Sequence, residues 1–485
     1  MHLTRLIPPI PRESGIARNT TFGLSGLVFL VAPGIVAASE GGGSDLGHRL
    51  VLGWLVPFVL MLVSIAVLPL VVPRWWESNL NKGLISAVLG GPVALYILMW
   101  DPHRLIETGV EYVAFIALLA ALFIISGGIY LRGVLSGTPA LNTLVLGAGA
   151  ILANLIGTTG ASMVLIRPML RANAARRRQV HIMVFFIFIV SNIGGLLTPL
   201  GDPPLFLGFL RGVPFEWTLR LLPHWVLMTL SLLVIFYVWD RRLFRREEPA
   251  AAPVSNLHPQ ACGLAVEGKI NLLLLLGVVA VALVVARFGD DVGLGSQHAH
   301  KWAQAIGMMF LAALSLLLTA SATRAANRFT FHPILEVAVL FAGIFATMIP
   351  ALAILEARGH EFGLEDPWQF FWATGLFSSV LDNAPTYLAF STTASSLLGT
   401  EAMRLDQLLQ ATRGGMAGES LLKAISVGAV FMGANTYIGN GPNFLVKAIA
   451  EESGIAMPSF LGYVRYSVMI LFPLFLLVTL VFFRS

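Results

Sequence analysis

Residues 198–206, Thr198-Pro199-Leu200-Gly201-Asp202-Pro203-Pro204-Leu205-Phe206, interrupt an apolar stretch of the chain that runs from 180 to 210. A proline inside a helix removes a backbone donor and clashes with the preceding turn, and a glycine relaxes the local geometry. The motif therefore predicts a helix that ends and restarts midway. A related motif, Gly439-Asn440-Gly441-Pro442-Asn443-Phe444, interrupts the apolar stretch 421–449. The two motifs share Gly, a short side-chain oxygen, Pro and Phe in register, which indicates an internal repeat.

The composition of the whole chain indicates a membrane protein. Its 485 residues include 31 Lys and Arg and 26 Asp and Glu, so that 12% are charged and 56% are hydrophobic, with a mean hydropathy of +0.80. A soluble domain has about 25% charged residues, and so few polar groups cannot cover a water-exposed surface. The single Cys262 excludes a disulfide framework and a cysteine-based zinc site. The composition predicts an all-α, polytopic membrane protein and not an enzyme.

Charge-poor stretches of the length that crosses a bilayer, about 20 residues, recur along the chain. They predict about 10–11 transmembrane helices, at residues 22–38, 53–72, 83–100, 111–131, 180–210, 219–239, 268–286, 302–321, 333–355, 421–449 and 462–483. Two further apolar stretches, 133–170 and 367–400, have polar centres marked by Gly or Pro. We expect these to be re-entrant helical hairpins, which a membrane tolerates where protein buries the turn.

The arginines of the short loops predict the orientation, because cytoplasmic loops have an excess of Lys and Arg. Placing the three main clusters in the cytoplasm puts the hairpin 133–170 on the inner side and the hairpin 367–400 on the outer side. Asp290 and Asp291 then lie outside. The clusters are Arg171, Arg176, Arg177 and Arg178; Arg241, Arg242, Arg245 and Arg246; and Arg324 and Arg328. The basic residues thus indicate topology, so the predicted partner is the lipid bilayer and no nucleic acid is expected.

The span order divides the chain into two halves of opposite orientation. Residues 51–241 form the first predicted repeat, with the broken helix 180–210, and residues 267–485 form the second, with the broken helix 421–449. A cytoplasmic linker, 242–266, joins them. Residues 1–50 contain either a cleaved signal peptide or a retained first helix, and both fit the orientation. Broken helices at equivalent places of inverted halves indicate the midplane site of a secondary transporter.

Polar residues at the hairpin centres and helix breaks form the predicted site. An isolated charge at mid-bilayer costs about 3 kcal/mol or more, so Asp202 and Asp382 are the strongest candidates and the predicted sodium ligands. For the threonines and Asn192, capping of the half-helices is an equally good explanation. Oxygen donors of this kind suit a hard cation. One cluster comprises Asn154, Thr158, Thr159, Asn192, Thr198 and Asp202, and the other Asp382, Asn383, Thr386, Asn435, Thr436, Asn440 and Asn443.

Three stretches of these motifs, Gly157 to Met163, Ser191 to Pro204 and Leu381 to Thr386, resemble the ion transporter superfamily. This group contains NhaD-type sodium/proton antiporters, arsenite permeases and citrate transporters, and the chain is most similar to a bacterial subgroup labelled sodium:proton antiporter or citrate transporter. The resemblance covers roughly residues 50–483. It implies a homodimer in the bacterial inner membrane, with a scaffold and a mobile transport domain that uses elevator-type alternating access.

Sodium/proton antiport is the leading functional prediction, with sodium as the transported or coupling ion and no other cofactor. The alternative is a sodium- or proton-coupled symporter of citrate or a related carboxylate or oxyanion, which the helix N-termini after Pro204 and Pro442 would hold. The sequence reveals no unmistakable buried Arg or Lys for an anion, which favours the cation. A channel is disfavoured because it does not need two broken-helix sites.

Overall fold

The computed structural model describes residues 46–132, 137–247, 265–288 and 297–484. The predicted segment 22–38, most of the linker 242–266, and Asp290 and Asp291 lie outside these ranges. Within them, nine helices are long and apolar enough to cross a membrane, which confirms an all-α, multi-pass membrane protein. The predicted span 268–286 is a slightly shorter apolar helix, and the predicted span 421–449 consists of two shorter helices.

The first half of the described chain contains nine helices and the first strand. Short 3-10 turns at Leu52–Leu55, Ile193–Leu197 and Phe215–Leu221 connect some of them. The strand is β1 (Tyr130–Arg132), and the helices are α1 (Leu46–Arg49), α2 (Val56–Val71), α3 (Pro73–Trp76), α4 (Asn79–Trp100), α5 (Pro102–Ser126), α6 (Pro139–Ala172), α7 (Val180–Ile189), α8 (Pro203–Leu210) and α9 (Leu222–Arg246).

The second half follows a similar order. Its 3-10 turns are Gly359–Phe362 and Gly433–Asn435, and its strands are β2 (Ala265–Glu267), β3 (Thr412–Arg413) and β4 (Met416–Ala417). The helices are α10 (Ile270–Phe288), α11 (Gln297–Leu318), α12 (Ser321–Ala326), α13 (His332–Arg358), α14 (Pro367–Ser378), α15 (Asn383–Leu398), α16 (Leu405–Gln410), α17 (Gly418–Met432), α18 (Gly441–Glu452) and α19 (Phe460–Phe482).

The long helices pack across the two halves. Helix α4 packs along α13, and α5 packs along α11, so each half supplies one helix to each pair. The antiparallel ladder of β1 with β2 pairs Tyr130 with Glu267. This ladder holds the entrance of the first predicted hairpin beside the start of α10, the two chain segments that the arginine pattern predicts on the same side.

Both predicted hairpins have a break where the sequence placed their polar centres. Helix α6 has 34 residues and would be about 50 Å long if it were straight, but Gly157 interrupts it with φ 77° and ψ 156°. Only glycine adopts this conformation readily. In the second half, α14 ends at Ser378 and α15 begins at Asn383. That these hairpins re-enter the membrane stays a prediction.

The two broken helices have nearly the same backbone at their breaks. Thr198 follows the first 3-10 turn with φ −139° and ψ 154°, and Thr436 follows the second with φ −138° and ψ 168°. Asp202 directly precedes α8 with φ −144° and ψ 143°, and Asn440 directly precedes α18 with φ −155° and ψ 141°. The structural counterparts are therefore Thr198 and Thr436, and Asp202 and Asn440.

Each break depends on a pair of closely packed glycines. A β-carbon on Gly439 would lie 2.6 Å from the carbonyl oxygen of Gly433 and 2.7 Å from that of Ser378. A β-carbon on Gly201 would collide with the carbonyl oxygen of Gly195 in the same way. In both halves the returning chain therefore passes against the 3-10 turn at a distance that only glycine allows.

We predict that Gly439→Ala lowers the stability of the purified protein by about 1–3 kcal/mol, because the added methyl group overpacks a backbone contact. Gly441→Ala is the matched control, since a β-carbon on Gly441 has nothing within 4 Å. The measurement is thermal unfolding in detergent. Equal unfolding temperatures for the two variants would contradict the close approach.

Candidate functional site

The side chain of Asp202 is the meeting point of the two hairpins and the two broken helices. It is 2% exposed. Its Oδ1 accepts hydrogen bonds from Thr158 Oγ1 and Asn440 Nδ2, each at 3.0 Å, and its Oδ2 accepts one from Asn383 Nδ2 at 2.5 Å. These donors come from residues 44, 238 and 181 positions away. The contacts bring together one residue from each of four segments that the sequence marked independently.

Four helical segments begin at this carboxylate. Thr158 follows the break in α6, and Asn383 is the first residue of α15. Asp202 and Asn440 stand directly before the first residues of α8 and α18. The N-terminus of a helix has a partial positive charge of roughly half a unit from its free N–H groups. The surroundings of Asp202 therefore favour negative charge, either on the carboxylate itself or on a bound anion.

The contacts between hairpin and broken helix repeat in the two halves. Thr198 Oγ1 donates to the carbonyl oxygen of Asn154 at 2.5 Å, and Thr436 Oγ1 donates to that of Ser379 at the same distance. The side chains of Asn154 and Ser379 in turn accept from residues of the two 3-10 turns, Leu197 N at 2.7 Å and Asn435 Nδ2 at 2.8 Å. Asn154 and Ser379 are thus counterparts.

The counterpart of Asp202 is Asn440, as the register of the two motifs indicates, and Asp382 has a different position. Asp382 is partly buried, and its Oδ1 accepts from the backbone N–H of Ala384 at 3.1 Å, so that it caps α15. It stands directly before Asn383, whose amide group reaches Asp202. The four helix starts therefore share one directly bonded carboxylate, and Asp382 stands beside it as a cap.

Asn192 and Asn443 connect the two broken helices to each other. Asn192 Nδ2 donates to Asn443 Oδ1 at 2.7 Å, and Asn443 Nδ2 donates to the carbonyl oxygens of Gly433 and Thr436, both at 2.9 Å. Both asparagines are fully buried. Asn443 satisfies backbone carbonyl groups at the second break, and Asn192 Nδ2 also donates to the carbonyl oxygen of Ile187 in the first broken helix, at 2.8 Å. The two side chains therefore form a brace between the two broken helices.

The remaining predicted site residues have less central positions. Thr386 Oγ1 donates to the carbonyl oxygen of Asp382 at 2.9 Å, inside its own helix. Thr159 lines the cavity at Asp202. Three of the predicted site residues have a buried amide oxygen with no hydrogen-bond partner among the described residues: Asn192, Asn383 and Asn435. Of the three, Asn383 contacts Asp202 through its amide nitrogen, and an amide oxygen next to a carboxylate is a suitable ligand for a hard cation.

A small cavity lies beside Asp202. Its volume is about 80 Å³ and its lining includes Asp202, Thr158 and Thr159, together with Pro333 and Ile334 from the first turn of α13. Since one water occupies about 30 Å³ in the liquid, the cavity has room for an ion with a few waters. Pockets for larger organic ligands are usually about 300–1,000 Å³.

Sequence reasoning missed three features of the interior. The first is Ser379, which is equivalent to Asn154 in the other half by its contacts. A comparison of the two hairpin sequences was the available signal. Ser162 and Ser191 hydrogen-bond at 2.8 Å between α6 and the first broken helix. Contrary to the sequence-based expectation, cationic side chains are buried: Arg211 is 2% and Lys301 5% exposed. Their position near helix ends made them indistinguishable from topology signals.

A multi-pass bundle in which two broken helices and two hairpins converge on a buried carboxylate has the architecture of a secondary transporter. Residues 47–483 match the family model CitMHS_2, whose description is "Putative citrate transport". Because the match covers nearly the whole chain, the protein belongs to this family, which is part of the ion transporter superfamily. No curated protein matches the chain.

We predict that Asn443→Leu destabilises the protein, because Asn192 Nδ2 and the carbonyl oxygens of Gly433 and Thr436 lose their shared partner in a buried site. Each buried group left unsatisfied costs about 1–3 kcal/mol. Asn81→Leu is the control, since it removes one exposed hydrogen bond to Trp75. Unfolding temperatures in detergent measure both, and an Asn443→Leu protein as stable as the control would contradict the brace.

Proposed function

We propose that this protein is a cation-coupled secondary transporter in which Asp202 carries the coupling cation, and that sodium/proton antiport is its activity. The observation that carries the proposal is the carboxylate itself: one buried acid accepts hydrogen bonds from both hairpins and from the opposite broken helix. Sodium and a proton can occupy such a group in turn, because either one neutralises it.

The size and lining of the cavity support a small ion. About 80 Å³ beside Asp202 accommodates sodium with part of its water shell, and the unpaired oxygen of Asn383 supplies a further ligand. Sodium is a hard cation that prefers such oxygen donors. Asp382 belongs to the same site as the cap of the helix that presents Asn383, so its role is to position that residue.

The lining also suggests which side of the membrane the site faces. Pro333 and Ile334 begin α13, and Phe123 lies near the end of α5. Both helix ends are predicted to be cytoplasmic. We infer an inward-facing arrangement, in which hairpins and broken helices form the mobile unit of an elevator-type carrier. A homodimer in the bacterial inner membrane belongs to the same proposal.

Proteoliposomes with an internal pH-sensitive dye test the antiport. We predict that sodium-driven proton movement falls at least tenfold in Asp202→Asn, because the amide cannot exchange a proton, and falls less in Asp382→Asn. Asp406→Asn is the matched control, as that carboxylate is paired with Arg404 outside the spans. Wild-type rates in Asp202→Asn would contradict the proposal.

Cation-coupled citrate symport is the second candidate, and the description of the family favours it. The four helix starts around Asp202 would then stabilise a substrate carboxylate once a cation neutralises the aspartate. Uptake of labelled citrate by the same proteoliposomes under an imposed sodium gradient separates the two activities. Citrate accumulation without sodium-driven proton movement would replace antiport by symport, while the role of Asp202 would stand.

A further inference from the structure

A cluster of three buried charges lies at the end of α8 that is predicted to be outermost, apart from the Asp202 site. Glu111 of α5 accepts from Arg211 Nη2 at 3.3 Å and from Lys301 Nζ of α11 at 3.2 Å. All three residues are at most 5% exposed. Arg211 also donates to the carbonyl oxygen of Ala402, at 3.4 Å.

The cluster has an excess of positive charge. Within the described ranges, Glu111 is the one carboxylate in ion-pair contact with either cation, so two positive groups share one negative group. An arginine keeps its proton in proteins, and an uncompensated buried charge destabilises the fold strongly. Arg211 Nε, moreover, has no hydrogen-bond partner in the part of the chain that the structure describes. A bound anion would remove this imbalance.

A cavity beside the cluster can hold such an anion. Its volume is about 470 Å³, and its lining comprises Phe209, Leu210, the turn from Gly212 to Glu216, Leu283, His300, Lys301 and Gln304. Gln304 is 5% exposed, and its Oε1 has no partner among the described residues. Rotation of that amide group by half a turn directs its N–H donors where the oxygen now lies. Among the described residues that line the cavity, the one acidic residue is Glu216, and its side chain is exposed.

The volume of the cavity indicates the size of the ligand. It falls within the range of about 300–1,000 Å³ that is usual for sites of small organic ligands, whereas the cavity at Asp202 is about 80 Å³. One lysine, one amide and a second cation behind them suit a ligand with more than one carboxylate, because each carboxylate takes a separate donor.

We propose that this cavity is a binding site for a small polycarboxylate, in which Lys301 contacts the ligand, Gln304 hydrogen-bonds it and Arg211 supplies charge from behind. The site does not depend on the proposed ion exchange at Asp202. Asp202 and Arg211 stand at the two ends of α8. The anion site and the cation site are therefore separated by about the length of that helix.

Citrate is the probe, and isothermal titration calorimetry of the full-length protein in detergent and sodium-free buffer is the measurement. We predict that citrate binds the wild type and that Lys301→Gln weakens binding at least tenfold. Lys301→Arg should stay within about threefold of the wild type. Gln304→Leu, which leaves every charge in place, should weaken binding several-fold. Lys423→Gln is the matched control, because that lysine pairs with Glu419 elsewhere.

Two further readings separate ligand binding from a structural role and from the Asp202 site. Without citrate, Lys301→Gln should unfold at the wild-type temperature or higher, because Glu111 and Arg211 remain as a neutral pair. Asp202→Asn should bind citrate as the wild type does. Absence of citrate binding, equal affinity in Lys301→Gln, loss in Asp202→Asn alone, or sulfate bound as tightly as citrate would each overturn the proposal.

Discussion

The backbone groups that four helices leave free inside an apolar bundle are the constraint on which the rest of this structure depends. In the hydrocarbon region no water is present to satisfy them, so each must find a protein partner. The chain meets this requirement with side chains that satisfy the free backbone groups and at the same time join separate segments. Thr198 and Thr436 bind hairpin carbonyl oxygens, Asn443 binds two carbonyl oxygens of its own break, and Asp202 joins the four helix starts. Polar side chains are thus needed in the interior because the helices are broken, and the helices are broken because of their Pro and Gly residues.

The breaks were predictable because their cause is local. Proline removes a donor wherever it stands in a helix, so Pro203, Pro204 and Pro442 reveal two interruptions without knowledge of the fold. The polar centres of the hairpins could be found in the same way. Which of these residues touch each other could not be found, because Asp202 and Asn440 are separated by 238 positions. The register of the two motifs aligns Asp202 with Asn440, and the backbone at the two breaks agrees with this alignment, but the alignment does not reveal that the two side chains contact each other.

The buried charges, too, depend on contacts between distant residues that the sequence does not reveal. Counting arginines near helix ends predicts an orientation, but it treats every arginine as a loop residue. Arg176 lies in such a cluster, yet it is 8% exposed and contacts Asp240 at 2.6 Å. Arg211 and Lys301 are buried because Glu111 stands between them. A carboxylate on a distant helix decides whether a cation is buried, and this information is not local.

The central claim is that Asp202 exchanges a proton for sodium. Infrared difference spectroscopy of the purified protein, recorded with and without sodium near the pH at which the site is protonated, observes this step directly. The account predicts that sodium removes the carbonyl band of one protonated carboxyl group, that Asp382→Asn retains this change, and that Asp202→Asn lacks it. The same sodium-induced band in Asp202→Asn would contradict the account.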